Sequence, residues 1–496
     1  MKIRIVELEP AQLEFGGPGV FSDPKVGLKE AGPFDLRFGA AQLKEIRIGL
    51  VGTEEMTTKA LQWVEACKTN IPTTMKNFKQ YPDYDGFETI FRSQLNTNPF
   101  WTFNIPADHL EKAISFKDNT ERFEAVLELY GEGIKRISEL ENNRPNVIIC
   151  ALSDSVMEAC HHVERKLTKE EKTAFKKMSN VNKVTQQLSL FEEATQETEE
   201  DLLYRDFRRA LKAKAILAKI PIQIGHNRLF TDQNDNQDAA TRAWNFSVAL
   251  YYKAGGIPWR LKSTSTDTCF VGITFHHVKT NQKAVVKSCL AQAFSSDGEG
   301  FALRGGDIAY DPDRTKMVHL SEDQAYDLGL KIIEEYTYRT GLNPQRVVLH
   351  KTSFFNESEE EGFRRAFNSI PVVDLINLLP TSFRLLKHNA YPVNRGTLCT
   401  VNGKQSYLFS TGYIKELGTY PGAHIPRPIE IRSNEDLDID AAAKDILGLA
   451  RMNWNTSSIT GGQPVTLFFS RQVGGILAEL NVKNIESIPT SFRYYI

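Results

Sequence analysis

The sequence predicts an α/β protein in two halves, a mostly parallel sheet wound with helices and then a second sheet that opens as an antiparallel meander. Three observations carry this reading. From Glu45 to Lys253, strand-length apolar runs alternate with segments of helical periodicity, the pattern of a parallel sheet covered on both faces. After Trp259 come three consecutive strand-length segments. A helix, a strand and a helix then follow. The first order is that of a Rossmann-like domain and the second that of an RNase H-like domain, and neither by itself assigns a chemistry.

Residues 1–40 are rich in Gly and Pro (GGPG, AGPFD) and hold short strand-like pieces, so they read as a lead-in segment that packs on the rest. Ile46–Gly52 reads as a buried strand, and Ala60, Leu61, Val64 and Ala66 as the apolar positions of the next helix. Asn146–Leu152 is a second buried strand, with Ser153 and Asp154 placed to cap the helix after it. Residues 164–201 (KLTKEEK to ETEED) are charged and aperiodic, as a solvated insertion would be. Tyr204–Lys219 reads as a helix, Ile220–Ile224 as a strand, and Ala239–Lys253 as a helix stopped by Ala254-Gly255-Gly256. In the second half the strands are Thr268–His276, Ala284–Phe294 and Gly300–Tyr310; helix Ser321–Tyr338, strand Arg346–Thr352 and helix Glu360–Phe367 follow. The divisions are 1–40, 41–261 and 262–496.

Sixty Lys and Arg against sixty-two Asp and Glu leave a net charge of −2, which excludes a wholly basic polyanion trap while allowing a local basic groove. The six cysteines are far apart and form no CxxC pair, as expected of reduced, buried thiols and not of a disulfide framework or zinc ribbon. MKIRIVELEP has no apolar signal core, and no apolar run approaches the ~20 residues of a membrane span. A soluble, cytoplasmic protein with no membrane partner is expected. Gly49–Gly52 lacks the GxGxxG spacing of a dinucleotide site.

Between Arg205 and Arg228 there are seven Lys and Arg (Arg205, Arg208, Arg209, Lys212, Lys214, Lys219, Arg228) and one acid, Asp206. Arg208 and Lys212 are one helical turn apart and can converge on one anion. Gln223 on the next strand offers an amide, and Lys253 stands beside a Gly-Gly turn. Several cationic donors with an amide suit a phosphate monoester of charge about −2. A solvated basic helix face explains each residue singly, and a helix C-terminus explains Lys253 alone. The pairs His161-His162 and His276-His277 read as poor metal sites, because adjacent strand residues face opposite ways.

The stretches DFRRALKAKAILAKIPIQI, RAWNFSVALYYKAGGIPWRL and CFVGITF resemble the junction of the MID and PIWI domains of Argonaute proteins. With the LEFGGPG lead-in, ILGLARMNWNTSS and the ending FRYYI, the whole chain resembles the short prokaryotic Argonautes, which have MID and PIWI domains and lack N and PAZ. The resemblance implies a MID domain over 41–261, an inactive PIWI domain over 262–496, and a pocket for the 5′-phosphate of a guide. Lys212, Gln223 and Lys253 match the family's Lys, Gln and Lys. Arg208 stands where the family often has Tyr or His, keeping a donor and losing a stacking ring. Ala249 replaces a second lysine of some members, so Mg²⁺ held by Gln223 and the C-terminal carboxylate of Ile496 is expected to complete the pocket.

RNase H-type cleavage needs carboxylates that hold two metal ions. In Val271-Gly272-Ile273-Thr274-Phe275, Thr274 takes the place of the family's first Asp. Lys351-Thr352-Ser353 follows the strand where a later carboxylate is expected, and Phe469-Ser470-Arg471-Gln472 stands where the last Asp or His belongs. Thr274 and Thr352 are therefore degenerate catalytic positions, Lys351 is expected to repel a cation, and no cleavage is expected. Asp267 and Asp307 read as turn or cap residues. The resemblance implies an RNA guide, a single-stranded DNA target, and a partner with an APAZ domain fused to an effector (a sirtuin-like or TIR NADase, or a nuclease). Target recognition would then end in NAD depletion or DNA degradation, as antiviral defence by abortive infection. Two other readings stay open: an active guide-directed nuclease with relocated carboxylates, and a phosphate-binding metabolic enzyme on the Rossmann-like half.

Overall fold

A computed structural model of the protein describes residues 2–141, 143–166, 202–232, 237–262, 267–278, 285–294, 300–304, 318–386, 388–389, 392–422, 424–433, 437–480 and 488–496. The lead-in holds β1 (Ile3–Glu7), β2 (Leu13–Glu14) and a helix that the sequence reading missed, α1 (Pro24–Ala31). Its signal was present: Asp23 accepts from the Lys25 amide as N-cap, and Pro24 opens the helix.

Next come β3 (Glu45–Gly52), α2 (Glu54–Ala66), α3 (Phe87–Phe91), β4 (Gln94–Asn104), α4 (Ala107–Ile114), α5 (Asn119–Ser138), β5 (Val147–Leu152) and α6 (Asp154–Cys160). Ser153 caps α6 as expected. After them run β6 (His162–Lys166), β7 (Leu202–Asp206), α7 (Phe207–Leu217), β8 (Ile222–His226), α8 (Asn227–Phe230) and α9 (Ala239–Ala254). Strands β4-β3-β5-β8 form a parallel sheet in that order. All six residues of β5 are buried, which is why the strand is apolar throughout instead of alternating.

Two expectations change here. The insertion begins as a strand: His162–Lys166 pairs antiparallel with Leu202–Asp206. The helix expected from Tyr204 starts at Phe207, because Asp206 is its N-cap and accepts from the Arg209 amide. Residues 167–201 lie outside the described residues.

The second half holds β9 (Arg260–Leu261), β10 (Thr268–Val278), β11 (Val285–Phe294), β12 (Gly300–Arg304), α10 (Glu322–Thr340), β13 (Arg346–Lys351), α11 (Glu357–Ala366), β14 (Val372–Pro380), β15 (Thr397–Val401), β16 (Gln405–Leu408), β17 (Ile429–Arg432), α12 (Ile439–Leu449) and α13 (Val465–Leu477). A nine-stranded sheet runs β1-β15-β16-β17-β14-β13-β10-β11-β12. The β10-β11-β12 meander is antiparallel, and β13 joins β10 in parallel with Ile273 beside Lys351. Residues 305–310, at the end of the third expected strand, lie outside the described residues.

The lead-in packs as expected, since β1 adds an edge strand to the large sheet and β2 pairs with β9. Asp35, buried in the lead-in, accepts from the Tyr251 hydroxyl at 2.7 and 2.8 Å, which ties it to α9. Helix α13 lies across β10 so closely that a Cβ on Gly272 would fall 1.8 Å from the Thr466 carbonyl oxygen, so only glycine fits this position. Cys67, Cys150, Cys160, Cys269 and Cys399 are buried free thiols. Among the described residues no helix is long and apolar enough to cross a membrane.

Candidate functional site

The Lys, Gln and Lys singled out in the sequence meet at one place. Lys212 comes from the middle of α7, Gln223 from β8 and Lys253 from the last turn of α9. Gly255 ends that helix in the left-handed conformation (φ 112°), which turns the chain back at Lys253. Lys253 Nζ donates to Gln223 Oε1 at 2.6 Å, and Lys212 Nζ donates to the Tyr495 carbonyl at 3.2 Å. Lys253 is only 3% exposed, which sets aside the reading of a solvated helix face for this residue. Neither lysine has a carboxylate in ion-pair contact among the described residues.

Two buried ammonium groups without an ion-paired carboxylate are costly, and the cost lowers their affinity for protons. Burial pulls Lys212 down to about 8, with Arg208 and Arg209 adding to the fall and Asp206 opposing it. Lys253 lies well below the ordinary lysine value through burial, and Lys212 lowers it further. Such a site suits an anion, whose negative charge would favour the protonated form of both lysines.

Arg208 is exposed. It stands within Coulombic reach of Lys212 and of His226, whose imidazole is pushed down by burial first and by Arg208 next. The rest of the basic block does not converge. Arg205 Nε pairs with Glu479 at 2.7 Å and its Nη1 with Glu124, while Lys214 pairs with Glu128 at 2.5 Å. Arg209 lies against Gly475 of α13. The seven cations of the block therefore do not all face one phosphate: acids on α5 and beyond the end of α13 take two of them.

Ile496 is 2% exposed and follows directly on the Tyr495 carbonyl that Lys212 reaches. The side chains gathered here fit a divalent cation poorly. Gln223 Oε1 already accepts from Lys253, and the neighbouring donors are cationic. Sequence reasoning missed Arg493, which packs against the turn after Lys253, its Nη1 2.9 Å from where a Cβ on Gly255 would stand. Its Nε is buried with no hydrogen-bond partner. No local signal marks it, since 240 residues separate it from Lys253.

In the second half Thr274 is buried on β10, and Lys351 ends the adjacent β13. Thr352, half-buried, follows Lys351. The expectation that Lys351 would repel a cation is corrected, because its charge is already balanced. Its Nζ lies 2.5 and 2.6 Å from the two carboxylate oxygens of Glu359 on α11. Both residues are almost wholly buried. Glu359 also accepts from the Leu320 and Asn356 amides at 3.0 and 3.1 Å and lies 2.9 Å from His319 Nδ1. This acid was not picked out in the sequence, since nothing local distinguishes it from its neighbours in the NESEEEG run. Ser470 spends its hydroxyl on the Leu467 carbonyl at 2.9 Å. Asp267 precedes β10, and its carbonyl accepts from Gln345 at 2.8 Å. Asp307 and the His276 and His277 side chains lie outside the described residues.

His161 and His162 also depart from expectation. They do not alternate across a strand, because His161 closes α6 in helical conformation and only His162 belongs to β6. Their rings are 3.9 Å apart and edge to face.

No protein-family model matches this sequence, and no curated protein matches it. Among solved structures, the chain is similar over its full length to Clostridium butyricum Argonaute bound to a guide DNA (5′ deoxycytidine) and a 19-mer target DNA, with 12% identity and a TM-score of 0.62. It is similar over 99% of its length to Aa-Ago with externally bound siRNA, with 13% identity and a TM-score of 0.55. The chain spans 55% and 56% of those two proteins. Its α/β architecture, a Rossmann-like MID sheet followed by an RNase H-like PIWI sheet, is the Argonaute fold over about that share of the larger proteins.

Proposed function

We propose that the protein holds the 5′-phosphate of a nucleic-acid guide between Lys212, Lys253 and Gln223, with Arg208 at the rim, and that it recognises targets by base pairing. The observation that carries this reading is a pair of lysines from separate helices with no carboxylate in ion-pair contact among the described residues, Lys253 on the Gln223 amide and Lys212 on the Tyr495 carbonyl. A terminal phosphate supplies the missing negative charge and enough oxygens for several donors. The fold supports the same reading, since one similar structure is an Argonaute bound to guide and target DNA.

In this proposal the guide is RNA, the target is single-stranded DNA, and the PIWI sheet holds the duplex without cutting it. Support for the last point is chemical. Thr274 and Thr352 are neutral, and Glu359 is saturated by Lys351 and backbone amides, so none of them offers a free carboxylate to a metal pair. The output is assigned to an APAZ-domain partner carrying a sirtuin-like or TIR NADase, or a nuclease, in a cytoplasmic antiviral defence. No residue of the pocket accounts for NAD chemistry.

The test is binding of matched 5′-phosphorylated and 5′-hydroxyl RNA oligonucleotides by fluorescence polarisation, with wild type and Lys253→Ala. Wild type is expected to prefer the phosphorylated strand, and the variant to lose that preference. Equal binding of the two strands by wild type overturns the pocket. A preference for mononucleotides over phosphorylated oligonucleotides favours the metabolic-enzyme reading instead.

A further inference from the structure

We propose that His161, His162 and Asp206 form a binding site for a transition-metal dication of the Zn²⁺ type, at the base of the β6–β7 pair and apart from the phosphate pocket. One ligand atom from each of the three lies within 4.8 Å of the others. His162 Nδ1 is 3.5 Å from Asp206 Oδ2. That distance is long for a charge-assisted hydrogen bond, which runs about 2.7–2.9 Å. It is close to the ligand–ligand edge, roughly 3.3 Å, of a tetrahedron with bonds of about 2.0–2.1 Å.

The backbone holds the three residues in place independently of any metal. His162 and Asp206 are direct partners in the β6–β7 ladder, and the Phe207 amide donates to the His161 carbonyl at 3.3 Å. Asp206 divides its carboxylate: Oδ1 caps α7 by accepting from the Arg209 amide at 3.0 Å, and Oδ2 is the oxygen that faces His162. Its neighbour Arg205 does not compete for that oxygen, being paired with Glu124 and Glu479. The His162 side chain is 63% exposed, so water can fill the remaining coordination position.

Two imidazoles and one carboxylate select a borderline metal such as Zn²⁺ over the oxygen-seeking Mg²⁺ and Ca²⁺. An ion here would clasp the strands on either side of residues 167–201.

The test uses the full chain stripped with a chelator and titrated with Co²⁺, read by visible d–d absorption, and with ZnCl₂ by calorimetry. One equivalent is expected to bind. His162→Ala and Asp206→Asn should each weaken it by roughly 100-fold or more, since even outer-shell partners of a metal are worth 10–100-fold. Asn keeps the cap of α7, so that loss reports on the ligand and not on the helix. Zn²⁺ should raise the unfolding midpoint of wild type and leave both variants unmoved. Absence of stoichiometric binding, or equal binding by wild type and both variants, overturns the site. Guide binding with 5′-phosphate preference in metal-free protein would leave the pocket standing whichever way this falls.

Discussion

Lys212→Met should stabilise the free protein at neutral pH while it weakens guide binding, an opposition that follows from an uncompensated charge. Burial lowers Lys212 from 10.5 to about 8. The unfolded chain binds that proton more tightly than the folded chain, so folding is penalised wherever the residue is charged in both states. The penalty is complete below about pH 8 and disappears as pH rises through 10.5. At about 1.36 kcal/mol per unit the full shift amounts to about 3.4 kcal/mol. Lys212 retains some solvent contact, which trims the figure to about 2 kcal/mol. Methionine also forfeits the hydrogen bond to Tyr495, which returns about 1 kcal/mol. The variant should therefore be more stable than wild type by roughly 1 kcal/mol at pH 7, and less stable by about the same amount above pH 10.5, where only the lost hydrogen bond remains. Urea denaturation at the two pH values measures the reversal. In parallel, loss of a charged donor worth about 1.5–3 kcal/mol should weaken 5′-phosphorylated guides by roughly 10–100-fold and spare 5′-hydroxyl guides. A variant less stable by the same amount at both pH values, or equal losses for both guides, would refute the reasoning.

Other substitutions separate the two halves. Gln223→Leu should strip Lys253 of its acceptor and lower phosphorylated-guide affinity by roughly tenfold, measured by the same polarisation assay. Glu359→Gln should leave Lys351 buried without its counter-charge and cost about 3–5 kcal/mol in chemical denaturation, whereas an unchanged midpoint would show that the pair is solvated. Thr274→Asp alone should produce no target cleavage with Mg²⁺ or Mn²⁺ on a labelled strand, because a single carboxylate does not build a two-metal site. Guide binding should fall with salt, and Lys253→Ala should flatten the log–log slope by about 0.7 for a single strand.

Residues close together in sequence carried most of the fold. The wholly apolar VIICAL strand, the Ser153 cap and the Gly255 stop are local physics, and each lies where its pattern placed it. The helix α1 was equally local, and only the surrounding Gly and Pro hid its Asp-Pro start. Lys212, Gln223 and Lys253 stand out by their spacing together with the family resemblance, and both are properties of the sequence.

Partnership was another matter. The balanced charge of the chain says nothing about which cations are already paired with an acid, and among the described residues Arg205 and Lys214 are while Lys212 and Lys253 are not. Arg493 meets the Lys253 turn from the far end of the chain, and Glu359 neutralises a lysine on a neighbouring strand. His161 and His162 become neighbours of Asp206 because a helix end, a strand start and a ladder pair coincide. Secondary structure and capping depend on interactions within a few residues, so the sequence alone determined them. Whether a charged group is buried, paired or left waiting for a ligand depends on what the folded chain brings within a few ångströms, and only the tertiary structure decided that.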